Sequence, residues 1–166
     1  MSLVLPSTKG KSYLVNLIDT PGHINFVDEM VSGIRVADGA VVVVDAVEGV
    51  LLTTTQAIQH LVASKIPIVV VVNKVDRLIL ELRLPPGDAY IKLKQTIEEV
   101  NTIISYVALS SPRVGDRTDP SCCSEINPDP SLRVSPEKGN VSFASTQMGW
   151  CFTLKSFAKM YADTYG

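Results

Sequence analysis

The chain has 166 residues, nearly half of them apolar, and its charges almost balance at a formal net of −2. That length can bury the core of one ordinary domain, and the composition excludes a disordered tail. The balanced charge gives no electrostatic footprint for non-specific nucleic-acid or membrane binding, and no apolar run approaches the ~20 residues of a membrane span.

In chain order, Leu3 to Leu5 and Tyr13 to Ile18 are predicted strands, joined by a turn through Pro6, Ser7 and Gly10. A helical pattern follows in which Phe26, Met30 and Ile34 recur every four residues, ending near Asp38-Gly39. Ala40 to Val44 is wholly apolar and β-branched, as expected of a parallel strand covered on both faces. A helix from about Thr53 to Ser64 precedes a second buried strand, Ile66 to Val72. Pro86-Gly87-Asp88 to Ile104 is predicted as a longer helix, with Asp88 as its N-cap. From about 109 to 138, Pro, Ser, Asp and Cys dominate and periodicity is lost, so a disordered surface insertion is expected there. Val141 to Ala144 is then a strand and Phe152 to Tyr161 a helix. This alternation predicts a single α/β domain with a mostly parallel sheet and flanking helices.

The three cysteines, two of them adjacent (Cys122 and Cys123), do not make a disulfide framework and are expected to be free thiols. The start lacks a basic-then-apolar signal pattern, so the Asn140-Val141-Ser142 glycosylation triplet is taken as accidental.

Chemistry concentrates where strands stop. Asp19-Thr20-Pro21-Gly22-His23 follows the second predicted strand, at the carboxyl edge where parallel α/β sheets bind ligands. Asp19 can hold a magnesium ion through water. Gly22 lacks a Cβ, so its N–H can approach a terminal phosphate closely. His23 can orient a water for in-line attack. By itself, the pentapeptide could also be a turn with a helix cap, the less favoured of the two readings. Asn73-Lys74-Val75-Asp76 lies directly after the second buried strand, about fifty residues on. A carboxylate there accepts both N1–H and N2–H of guanine, a donor pair that adenine lacks. A buried acceptor left without its donors rejects the wrong base by ~10⁴-fold or more. Asp76 is therefore the candidate base reader. The Lys74 stem would pack over the purine, and Asn73 would brace neighbouring loops. Phe143-Ala144-Ser145-Thr146 is a third candidate: Ser145 and backbone N–H groups can touch the guanine O6 edge, or the segment is simply a helix N-cap. Gly10-Lys11-Ser12 looks like the end of a phosphate-binding loop, but the first glycine of G-x-x-x-x-G-K-[ST] would fall on Leu5, and a strand follows instead of a helix.

Asp19 to His23, the Asp45-Ala46-Val47-Glu48-Gly49 turn and Asn73-Lys74-Val75-Asp76-Arg77 resemble the translational GTPases of the elongation factor two group. Within that group the likeness is strongest to the spliceosomal branch, the GTPase of the U5 small nuclear ribonucleoprotein. It is carried by Leu5-Pro6 and Thr8 to Leu14, Asn25-Phe26, Leu78 to Leu82, Leu84-Pro85-Pro86, Asp88-Ala89-Tyr90 and much of Phe152 to Thr164. Gly149-Trp150 is more like the ribosomal factor. Residues around Ser111 to Asp129 fall outside the likeness.

The resemblance implies a P-loop NTPase-type G domain, binding GTP or GDP with Mg2+, and a nuclear switch in pre-mRNA splicing. Its implied partners are the spliceosomal core scaffold protein and the RNA helicase of the U5 particle, with small nuclear RNA engaged indirectly and no membrane. Asp19, Gly22 and His23 match the third GTPase motif, with His23 the catalytic residue. Asn73, Lys74 and Asp76 match the fourth, and Ser145 with Thr146 loosely the fifth. The first two motifs would lie upstream of Met1, along with a central strand between the second predicted strand and Ala40 to Val44. The expectation is a G-domain fragment without its phosphate-binding loop, self-associating through exposed strand edges and inactive alone, from a parent that hydrolyses GTP. A ribosomal translocation or maturation factor and a nucleotide-holding scaffold are the alternatives.

Overall fold

The computed structural model describes residues 1–6, 10–110 and 133–165. Strands β1 (Ser2–Pro6) and β2 (Ser12–Asn16) form an antiparallel hairpin of their own. After a 3₁₀ turn at Ile24–Phe26 come α1 (Val27–Val36), β3 (Ala40–Asp45), α2 (Leu52–Ala63), β4 (Ile68–Asn73), the short α3 (Asp76–Leu80) and α4 (Pro86–Ser110). A 3₁₀ turn at Pro136–Lys138 leads to β5 (Val141–Ser145), β6 (Trp150–Phe152) and α5 (Leu154–Tyr165). The second sheet has the order β3-β4-β5-β6, with the first two pairings parallel and the last antiparallel. This is the expected α/β plan with a mostly parallel sheet.

Valine runs make β3 and β4, because β-branched side chains pack well on a pleated surface. Alternation then selects one face. Val42, Val44, Val70, Val72 and Val141 point into a core closed by Ile58, Leu61 and Val62 of α2 and Ile97, Val100 and Ile104 of α4. The other face of β3 is not covered as its composition predicts. Val41 and Val43 remain 63% and 57% exposed and line a cavity instead. An apolar run therefore overstated burial here, since strand conformation alone already favours valine.

Several boundaries differ from the sequence expectation for local reasons. The second strand stops at Asn16, so Leu17 to Thr20 is irregular. Helix α2 ends where Lys65 takes a left-handed φ of 56°, with Ile66 N–H donating to the Leu61 carbonyl at 3.1 Å. That closure needs no glycine. Helix α4 begins at Pro86, which suits a first helical position, so Asp88 sits inside the first turn and is not the cap. It also continues six residues past Ile104.

Of the expected insertion, 109–110 belong to α4, 111–132 with Cys122 and Cys123 lie outside the described residues, and 133–138 run along the surface with Val134 buried. Asn101 on α4 orders that last stretch. Its amide donates to the Val134 carbonyl at 3.0 Å and accepts the Val134 N–H at 2.9 Å, the pattern of a strand pair made by one side chain. Val134 itself is 1% exposed. The segment after Ser145 is a turn into β6 before α5 begins. Phe152 ties these pieces together, lying 5.8 Å from Phe143, 5.4 Å from Trp150 and 5.3 Å from Phe157 between ring centroids.

Candidate functional site

The carboxyl ends of β3, β4 and β5 meet at one edge and are stitched to one another. Ala46 N–H donates to the Asn73 carbonyl at 2.9 Å, and Val75 N–H to the Ala144 carbonyl at 3.3 Å. Asn73 is the brace. Its side-chain oxygen accepts the Lys74 N–H at 2.8 Å, the Thr146 N–H at 3.2 Å and the Thr146 hydroxyl at 3.0 Å. Lys74 then takes a left-handed φ of 59°, which turns the chain from β4 into α3 and makes Asp76 the first helical residue. A non-glycine residue there is strained by ~1 kcal/mol or more, as it is at Lys65 and Arg83 where helices also meet loops.

Asp76 is 6% exposed. The Ser145 hydroxyl donates to its Oδ1 at 2.6 Å and accepts the Met148 N–H at 3.2 Å. This bond joins residues 69 apart in sequence and is fully buried at Ser145. The hydroxyl that the sequence suggested for the O6 edge is thus spent on orienting Asp76. Among the described residues Oδ2 has no partner, so the carboxylate keeps an acceptor for a donor from outside.

Beside it runs a chain of charges. Asp45, at the end of β3, lies 2.9 Å from the Lys74 ammonium and 3.0 Å from Nη1 of Arg77, and Arg77 Nε lies 2.8 Å from Glu81. Burial pushes the Asp45 carboxyl up. The Lys74 hydrogen bond, the N–H groups of Val47 and Glu48, and the lysine's charge outweigh it and hold the carboxyl below its ordinary range. Glu81 raises the Arg77 guanidinium, which desolvation opposes and Asp45 supports.

A second group of residues stands apart. Asp19, Gly22 and His23 line a cavity of about 340 Å³ together with α1, the Val41 to Val43 stretch of β3, and Thr53, Thr54 and Ala57 of α2. All three are exposed. His23 caps the 3₁₀ turn by accepting the Asn25 N–H on Nδ1 at 3.2 Å. In the neutral ring that leaves the proton on Nε2. Gly33 brings α1 close: a Cβ there would fall 2.9 Å from Cγ2 of Thr20. Among the described residues no hydrogen bond or ion pair joins this group to Asp76. Strand β3 spans both, with Val41 and Val43 in the cavity and Asp45 beside Lys74.

The structure therefore brings together Asn73, Lys74, Asp76, Ser145 and Thr146, and separately Asp19, Gly22 and His23. Sequence reasoning took Asp45 and Arg77 only as part of a family likeness. The available signal was an acidic residue ending an apolar strand ahead of two cations three residues apart.

Residues 2–161 match the family described as elongation factor Tu GTP binding domain. The chain belongs to that family. As an elongation factor Tu-type G domain it is 51% identical, over all 166 residues, to the 110 kDa U5 small nuclear ribonucleoprotein component CLO of Arabidopsis thaliana. It is 49% identical over the same span to the pre-mRNA-splicing factor cwf10 of Schizosaccharomyces pombe and to the 109 kDa U5 small nuclear ribonucleoprotein component GFL of Arabidopsis thaliana. The chain spans 15% of the length of each of these relatives. Guanine-nucleotide binding is the property of this G-domain family, and the arrangement around Asp76 fits a guanine edge, offering a buried, oriented carboxylate with an open oxygen.

Proposed function

We propose that this chain supplies the guanine-reading and γ-phosphate-sensing edges of a GTP-dependent switch acting in pre-mRNA splicing. The observation that carries the nucleotide reading is the buried Asp76 carboxylate, fixed by Ser145 at 2.6 Å and presented beside Lys74. The splicing role is supported by the 49–51% identity, across the whole chain, to proteins named as U5 components and as a splicing factor. The corresponding partners are the core scaffold protein and RNA helicase of that particle, with small nuclear RNA reached indirectly in the nucleus.

In this reading Asp76 accepts the N1–H and N2–H of guanine, and Lys74 lays its stem along the purine. Asn73, Ser145 and Thr146 keep the edge rigid, so no binding energy is lost in ordering it. Gly22 offers its N–H to the terminal phosphate. His23 lines the cavity with Nδ1 occupied, which leaves Nε2–H to orient the attacking water by donating to it. Among the described residues no three His, Cys, Asp or Glu side chains cluster as a metal cage. Magnesium does not require one, since it takes one or two carboxylates and completes its shell with phosphate and water. Asp19 would hold it through water, where it would neutralise charge on the β- and γ-phosphates. The lysine and N–H cradle of a phosphate-binding loop would come from residues outside 1–166, because G-x-x-x-x-G-K-[ST] does not occur within them.

Titration of fluorescent GTP into the chain, and into a full-length polypeptide carrying it, tests this division. The longer protein should bind tightly and recover U5 small nuclear RNA on pull-down. The chain alone should bind at least ~10³-fold more weakly, because phosphate contacts carry most of the electrostatic stabilisation. It should also self-associate through its open strand edges when examined by light scattering. Tight binding by the chain would refute the division of labour, and recovery of ribosomal RNA would refute the splicing role.

A further inference from the structure

We propose that Asp45 is a positioning residue for guanine recognition, anchoring the Lys74 ammonium so that the lysine stem lies beside Asp76; this rests on the nucleotide reading above.

Register places it there. Asp45 of β3 is the direct parallel partner of Asn73 of β4, so it emerges at the sheet edge one residue before Lys74 does. Its two oxygens have separate tasks. Oδ1 accepts the N–H groups of Val47 at 2.8 Å and Glu48 at 3.4 Å, and Gly49 N–H closes the same turn onto the Asp45 carbonyl at 2.9 Å. The carboxylate is thus fixed by its own turn whatever the cations do. Oδ2 takes both cations, Lys74 Nζ at 2.9 Å and Arg77 Nη1 at 3.0 Å.

Exposure identifies which partner is the anchor. The Asp45 side chain is 11% exposed and that of Lys74 is 52% exposed. A half-exposed lysine on a four-carbon stem otherwise samples many rotamers, and ordering it costs conformational entropy. An ammonium already held by a rigid carboxylate has met that cost before the purine arrives. Arg77 extends the effect: it belongs to the helix that Asp76 begins, and Glu81 fixes its Nε. Asp45 therefore ties the residues on both sides of Val75-Asp76 to β3. Without its charge, the ammonium and the guanidinium would lose the counter-ion they share.

Asp45→Asn is the discriminating variant, because its amide oxygen still accepts from Val47 and Glu48 and preserves the turn. In a full-length polypeptide carrying the chain, it should weaken guanosine diphosphate binding on the order of tenfold, the scale of coupling between contacting residues. In a Lys74→Ala background the same substitution should cost markedly less affinity, since most of its effect passes through the lysine and only the Arg77 contact remains to be lost. In the chain without nucleotide, Lys74 should be acylated faster by an amine-reactive ester in Asp45→Asn than in wild type, read by peptide mass spectrometry. An equal loss of affinity in both backgrounds, or unchanged labelling of Lys74, overturns the proposal. If Lys74→Ala and Asp76→Asn lower affinity while Asp45→Asn does not, the positioning role alone has failed. If none of the three matters, the nucleotide reading has failed and this inference falls with it.

Discussion

The two halves of the candidate site are built to different standards. At the proposed base-reading edge the groups that set the geometry are engaged: the Asn73 side chain accepts three hydrogen bonds, the Ser145 hydroxyl makes two and Asp45 binds two cations. At the proposed phosphate-sensing edge, Asp19 to His23 is irregular, mostly exposed chain whose side chains make one hydrogen bond among the described residues, at His23. The first edge sits where three strand ends are cross-linked, the second where one hairpin strand runs out. Rigid selection of a base needs preorganisation, whereas a sensor of a phosphate that comes and goes has to change state.

The largest effect that would break this contrast is expected at Asp76. Asp76→Asn should lower guanine-nucleotide affinity by ~10⁴-fold in the full-length protein, because it removes one of two acceptors facing a donor pair. Ser145 already donates to Oδ1, so the new amide keeps its oxygen there and turns Nδ2 outward. A xanthine nucleotide, with a carbonyl where guanine has N2–H, should then be preferred. Competition titrations with the two nucleotides read this directly, and an unchanged base preference would show that the edge is not the reader.

His23 should behave in the opposite way. His23→Ala should leave nucleotide affinity within about twofold yet slow single-turnover hydrolysis by ~10²- to 10³-fold, the usual worth of a positioned proton-transfer or water-orienting group. Hydrolysis that survives the substitution would show that His23 does not orient the attacking water, whereas splicing that survives while hydrolysis is lost would favour a scaffold that merely holds nucleotide.

How much of this was legible follows the range of the interactions. Strands β3 and β4 were visible because valine runs end in residues with chemistry, Asp45 and Asn73-Lys74-Val75-Asp76. Helix α4 and the α/β order came from local period and turn residues. What escaped depends on contacts far apart in sequence. The order of 133–138 comes from the Asn101 amide 33 residues away, which no composition reveals. Strand β6 has only three residues, too few to show a period. The Ser145 to Asp76 bond and the Asp45 to Lys74 pair require strand register. Covering on both faces of β3 was inferred from side-chain type, which reports strand conformation as much as burial.

Gly33→Ala sharpens the comparison from the helix side. The added Cβ would meet Thr20 Cγ2 at 2.9 Å, and Thr20 is β-branched with few rotamers to retreat into. The loop should move instead of the helix, lowering the urea midpoint by the equivalent of ~1 kcal/mol, at the low end of overpacking costs. Amide shifts should concentrate in residues 18–23 and leave 73–76 unchanged. Shifts spreading to Asp76 would mean that the two edges are mechanically coupled after all.

The smallest effect bears on whether charge or hydrogen bonding holds the edge around Asp76. Asp45 titrates below its ordinary 3.8 because its partners outweigh its burial. A group with a depressed folded pKa adds stability above its unfolded pKa, and that stability disappears as pH falls through the folded value. Wild type should therefore exceed Asp45→Asn in stability at pH 5 and above, by ~1 kcal/mol or less for a pair whose lysine is half in water. The gap should close progressively below pH 3.8, as the carboxyl takes up its proton and Lys74 and Arg77 lose their shared partner. Urea midpoints of both proteins between pH 7 and pH 2 measure it. A gap that persists unchanged at pH 2 would assign the difference to the turn at Val47 and Glu48, and the ion pairs would then follow the edge's geometry instead of fixing it.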